Sequence, residues 1–171
     1  MTPKFKNFKH DNSGQVETYL FEVISKYTML EIKTKFGKLC IAKVKLASES
    51  IERALNLCND NCQIVSAKCH EEVIFATILA IKAFSSGRNT AKTIKGEILL
   101  RLAGVKQIKD AIKIIGARKG ENLIIYFGVS DPCSSLKDFI SSLGLREEPL
   151  KPCDEDEVKR GFERAAIIEA L

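Results

Sequence analysis

Ten basic side chains crowd one window of this sequence: Lys82, Arg88, Lys92, Lys95, Arg101, Lys106, Lys109, Lys113, Arg118 and Lys119, opposed only by Glu97 and Asp110. The window is +8 in a chain of +5, so the remainder carries −3. Cations gathered in one segment of an otherwise slightly acidic protein point to an anionic partner met on one side. A helix is expected over residues 90–103, capped by Asn89 or Thr90, with Arg88 just before it and Lys92 in its first turn. The free N–H groups of a helix start, with adjacent cations, suit a phosphate. Lys95 falls on the helical wheel between Ile98 and Leu99, inside an apolar arc shared with Ala91 and Leu102, so its charge must snorkel or line a cleft. Glu97 and Arg101 are i, i+4 neighbours expected to pair on the exposed face. Any one of these cations taken alone reads equally well as a solvated surface residue; the concentration argues for the group.

Catalytic arrangements are poorly represented. The chain holds two histidines, His10 in a polar N-terminal arm and His70 beside Cys69. It has no G-x-S-x-G, H-E-x-x-H or G-x-x-x-x-G-K-[ST] motif. Cys69 and His70 do not make a dyad, because neighbours on a helix point about 100° apart. The six cysteines (Cys40, Cys58, Cys62, Cys69, Cys133, Cys153) are read as reduced, buried or half-buried thiols. Cys58-x3-Cys62 followed by Cys69-His70 is the one cluster inviting a metal, but it lacks the C-x2-C spacing of common zinc sites. No metal and no cofactor are expected.

The elements that must position the basic window follow from periodicity. Residues 1–13 are a polar, basic arm or strand start, and 15–27 an amphipathic helix. Alternation over 29–35 and 39–46, turned at Gly37, predicts a hairpin. Ser48 is expected to cap a helix running to Cys58, with Ile51, Ala54, Leu55 and Cys58 inward. A short buried strand over 63–67 precedes a helix over 69–84 that is apolar around nearly its whole circumference. Such a helix is core on every side or offers one side to a protein partner. After 90–103 comes a second helix over 107–115, with Gly104 and Gly116 as caps at φ > 0. Residues 122–127 make a strand whose unbroken apolar run suits a central place in a sheet. Asp131-Pro132 opens a helix closed by Gly144, 147–152 is a loop, and 154–171 forms a last helix with an acidic start. The fold class is α/β (α+β): one domain, residues 1–171, with a small mixed, mostly antiparallel sheet flanked by five or six helices. No stretch reads as a signal peptide or membrane span, so a soluble, cytoplasmic protein is expected.

Ala76, Ala80, Ala83-Phe84, Gly87-Arg88-Asn89, Ala91-Lys92, Glu97-Ile98-Leu99-Leu100, Ala103-Gly104, Gln107-Ile108, Ala111-Ile112 and Gly116 together resemble the small kinase-binding subunit of the KEOPS complex, the TPRKB-like family, in its archaeal type. The match is densest over residues 64–128 and fades at both ends. The resemblance implies a non-catalytic subunit, monomeric within a hetero-complex. It would dock on the complex's atypical kinase subunit and hold tRNA by its single-stranded 3′ CCA end, while the complex makes threonylcarbamoyl adenosine. The RNA site is then expected at Arg88, Asn89, Lys92, Thr93, Lys95, Arg101, Lys106 and Gln107. Phe84, Tyr126 and Phe127 read as core, so base edges would be read by Asn89, Thr93 and Gln107 rather than by stacking. Docking on the kinase is expected at Val73, Ile74 and Ile78 of one helix and at Ile167 and Leu171 of another. Two other classes compete: a pure protein-interaction module whose basic window meets an acidic protein surface, and a thiol or metal enzyme using Cys58, Cys62, Cys69 and His70.

Overall fold

A computed structural model describes residues 27–171; the expected arm (with His10) and the helix over 15–27, apart from Tyr27, lie outside the described residues. Strands β1 (Met29–Thr34) and β2 (Gly37–Leu46) form the expected hairpin. A 3-10 turn, Ser48–Ser50, leads into α1 (Ile51–Leu57), followed by β3 (Cys62–Val65) and α2 (His70–Ser85). Then come α3 (Ile94–Ala103), α4 (Ile108–Ile115), β4 (Gly120–Phe127), α5 (Pro132–Ser142), β5 (Glu147–Glu148) and α6 (Glu155–Ile167).

The sheet runs β1-β2-β4-β3, with β5 paired to β2 beside it, and every strand pairing is antiparallel. Alternation in β2 and β4 sends successive side chains to opposite faces. Leu39, Ile41, Leu123, Ile125 and Phe127 enter one core with α2, α3 and α6. Cys40, Ala42, Val44, Ile124 and Tyr126 enter a second core with α1 and α5. The continuous apolar run of β4 is thus explained by burial on both faces. Asp131 caps α5 by accepting from Ser134 N at 3.0 Å, and Asp154 caps α6.

Several expectations are corrected. Ser48 makes no cap hydrogen bond, and Leu55 is 48% exposed rather than inward. The loop over 147–152 contains β5, because Glu147 and Glu148 complete the edge of β2. The last helix ends at Ile167. Gly116 is not a left-handed cap: its φ is −61° and ψ 161°, extended backbone bridged to Val65. Glycine is required there for space, since a Cβ would lie 2.5 Å from the Ile112 carbonyl oxygen. Gly104 does take φ +67°.

The cysteines are not all free thiols. Cys40 of β2 is disulfide-bonded to Cys133 of α5, and Cys69 to Cys153, leaving Cys58 and Cys62 free and buried. The partners lie 93 and 84 residues apart; the packing of α5 on the sheet joins the first pair, and the neighbouring starts of α2 and α6 join the second. No helix of the described residues is long and apolar enough to cross a membrane.

Candidate nucleic-acid interface

The site is a cleft of about 760 Å³ between the loop before α3, the starts of α3 and α4, and the end of β3. Its cationic wall is Lys92, Lys95, Lys106 and Lys109; Thr90, Thr93, Gln63 and Gln107 are its uncharged polar groups; Leu55, Leu99, Ile108 and Ile112 are prominent in the apolar part. No Asp or Glu lines it. Helices α3 and α4 both begin here, so two positive dipole ends add to four ammonium groups. Gly96 lets the helix starts approach: a Cβ there would stand 3.0 Å from Ile108 Cδ1 and 3.1 Å from Ala91 Cβ.

The first helix starts four residues later than the sequence suggests. Its N-cap is Thr93, whose Oγ1 accepts from Gly96 N at 3.0 Å. Thr90 and Asn89 do not cap it; Asn89 Nδ2 instead donates to Ala91 O at 2.9 Å. Residues 88–92 therefore form a loop rather than a first turn, and that loop is anchored from below. Glu97 Oε2 accepts from both Thr90 N and Ala91 N at 2.8 Å. Its other oxygen accepts from Arg101 Nε at 3.2 Å and Nη2 at 3.1 Å. Glu97 is 0% and Arg101 1% exposed. The expected pair thus exists, but in the interior rather than on the exposed face. Arg101 Nη1 continues to Ala165 O at 3.3 Å and Glu169 Oε1 at 3.5 Å, tying α3 to α6.

Of the eight residues expected at an RNA site, the structure brings five into one wall: Lys92, Thr93, Lys95, Lys106 and Gln107. Arg88 and Asn89 are exposed in the loop leading to it. Arg101 is removed from any RNA contact by its burial. Lys95 lines the cleft as its wheel position implied, with Nζ donating to Cys58 O at 3.2 Å. Lys106 Nζ donates to Leu171 O at 2.8 Å.

Three contributions escaped the sequence reading. Lys109 belongs to the basic window but sits one turn from the chosen residues, and only the approach of α4 to α3 brings it in. Leu55, Ile108 and Ile112 were read as core or ignored; Ile108 and Ile112 are i, i+4 partners on one face of α4, which was the available signal. Glu97 was read as a surface pair because its sequence neighbours say nothing about the loop folded over it.

The expected docking residues divide. Val73 is fully buried in the core and offers no surface. Ile74 and Ile78 are half-buried against the same core, so α2 is mainly a core helix with one partly open arc. Ile167, the last residue of α6, and Leu171, beyond it, are exposed. The inner side of α6 meets α2 through stacked Phe75 and Phe162 rings, centroids 4.3 Å apart, and an Arg164–Glu72 contact of 3.5 Å.

The cysteine and histidine cluster does not assemble. Cys58 and Cys62 lie in the second core, whereas Cys69 is bonded to Cys153 beside Glu157. Sulfurs joined to each other supply no thiolate to a metal. His70 is held below its ordinary value by burial, with Lys43 acting in the same sense and Glu71 opposing. A family model described as Kinase binding protein CGI-121 matches residues 43–163, a span that contains the whole cleft.

Proposed function

The chain belongs to the kinase binding protein CGI-121 family, and from that membership we propose that it is the non-catalytic subunit of a KEOPS tRNA-modification complex in the cytoplasm. In this reading it docks on the atypical kinase subunit and holds the 3′ CCA end of tRNA while the complex forms threonylcarbamoyl adenosine. One observation carries the RNA half: an acid-free cleft lined by four lysines together with aliphatic side chains. A single-stranded end presents both of the groups such a cleft takes, phosphates for the lysines and unstacked bases for the aliphatic wall. Thr93 and Gln107 line the cleft and offer hydrogen-bonding groups to base edges, and the exposed Arg88 and Asn89 offer further polar groups in the loop leading to it. A duplex needs no apolar wall, which favours a single strand. The kinase half rests on Ile74, Ile78, Ile167 and Leu171.

The test is binding of the purified chain to intact tRNA and to the same tRNA without CCA, at two salt concentrations. Loss of binding on trimming is expected. Equal binding to both would reduce the cleft to a general electrostatic patch, and binding to neither would leave a pure protein-interaction module in front. Arg88→Glu with Lys92→Glu should weaken binding while leaving the fold intact, since both side chains are exposed; unchanged affinity would sink the site.

A further inference from the structure

Cys58 and Cys62 are the two cysteines that the disulfides leave over. They flank the turn between α1 and β3, where Cys62 N donates to Asn59 O at 3.2 Å. Both side chains are buried in the second core, with Tyr126 opposite Cys62 in the strand register, and each thiol shifts the other's acidity. They are not equivalent. Cys58 is 8% exposed and Cys62 0%, so a small solute from solvent meets Cys58 first. Lys95 reaches the same turn, donating to the Cys58 carbonyl at 3.2 Å, and its charge lowers the Cys58 thiol.

We propose that Cys58 and Cys62 form a dithiol that a hydroperoxide oxidises to a third disulfide, with Cys58 attacking and Cys62 resolving. The Cys58 thiolate attacks one peroxide oxygen; the O–O bond breaks, and the departing hydroxide (or alkoxide) takes up a proton to leave as water or an alcohol. Cys58 is then a sulfenic acid. The Cys62 sulfur attacks it, the S–O bond breaks, and the sulfenic hydroxyl leaves as water with the Cys62 proton. Two thiols lose two electrons in all, and the peroxide accepts them. Cys62 lowers the Cys58 thiol from its ordinary value against the opposing effect of burial, and the Lys95 charge adds to the lowering. Cys58 together with burial pushes Cys62 up, which keeps it a thiol until Cys58 has reacted. Both side chains enter one core across a single tight turn, so the second step asks for movement of that turn alone. No third Cys, His, Asp or Glu joins them in a ligand group among the described residues, so the pair reads as a dithiol rather than as half of a metal site.

The test uses the full chain with its two disulfides intact, treated with equimolar hydrogen peroxide and then with N-ethylmaleimide under denaturing conditions. Both thiols lie in one tryptic peptide, residues 54–68, so mass spectrometry reads the outcome directly. The expected result is a peptide short of two hydrogens and carrying no maleimide. In Cys62→Ser, Cys58 should stop at the sulfenic acid and be captured by dimedone; in Cys58→Ser, Cys62 should remain unmodified. Retention of two maleimides after peroxide would overturn the proposal. So would oxidation of Cys62 in Cys58→Ser as fast as that of Cys58 in Cys62→Ser. The wild-type measurement needs neither variant to fold, and none of the readouts involves RNA.

Discussion

Replacing Glu97 by alanine tests whether a single buried carboxylate holds the cleft's loop in place. In the wild type it receives Arg101 and the N–H groups of Thr90 and Ala91, all within 3.2 Å. Glu97→Ala leaves a guanidinium that is 1% exposed with Ala165 O and the more distant Glu169 carboxylate as its partners. Removing one member of a buried ion pair typically costs about 3–5 kcal/mol. A buried N–H stripped of its acceptor, as at Ala91, costs about 1–3 kcal/mol. The two losses share one side chain and do not add, and Glu169 offsets part of the first. We expect about 3–5 kcal/mol in chemical denaturation, a large share of the roughly 5–15 kcal/mol that a domain commonly has. Arg101→Met together with Glu97→Ala should lose less than the sum of the single changes, with a coupling of about 1–3 kcal/mol, because the stranded charge is gone. Hydrogen exchange at the Thr90 and Ala91 amides should accelerate in Glu97→Ala beyond the global change. A loss under about 1 kcal/mol, additive single variants, or unchanged protection at those amides would refute the assignment of Glu97 as the anchor.

If the cleft lysines meet phosphates, Lys109→Met should lower the slope of log affinity against log salt by about 0.7, as for one contact to a single strand; an unchanged slope in a titration series would remove Lys109 from the contact set. Reduction of the disulfides should destabilise the fold by about 2–4 kcal/mol each, less in combination because their loops overlap, measured by denaturation with and without reductant. His70 is held below its ordinary value of 6.5, so the unfolded chain binds the proton more readily and stability falls as pH drops through about 6.5. His70→Asn should flatten that part of a stability–pH curve, and an identical curve would show that another group is responsible. Gly104→Ala forces a Cβ into φ +67° and to 2.7 Å from Arg164 Cγ, which should cost about 1–2 kcal/mol in thermal denaturation.

The sheet and its helices were legible wherever a local period carried them. The β1–β2 hairpin, the buried β4 and the cap at Asp131 each follow from residues adjacent in sequence. The candidate site was legible as composition, not as shape. Lys95 could be placed in a cleft because its wheel position conflicts with its charge. Arg101 could not be withdrawn from the surface, because what buries it arrives from α6, more than sixty residues later. Thr93, not Asn89 or Thr90, became the helix cap because Glu97 takes the N–H groups of Thr90 and Ala91 and holds those residues outside the helix. The disulfides were out of reach for the same reason as Arg101: local pattern says nothing of partners so far apart.

The two disulfides also interlock along the chain, in the order 40, 69, 133, 153. A single backbone cut anywhere between Cys40 and Cys153 therefore leaves its two pieces covalently joined. Cuts between Cys69 and Cys133 leave them joined twice, and the segment that carries the cleft's lysines lies wholly within that interval. A protease reaching the exposed loop at Arg88 would sever the backbone without separating the fragments. The nicked product would run as one species until reductant is added, and the cleft's two sides would stay together unless both links were opened.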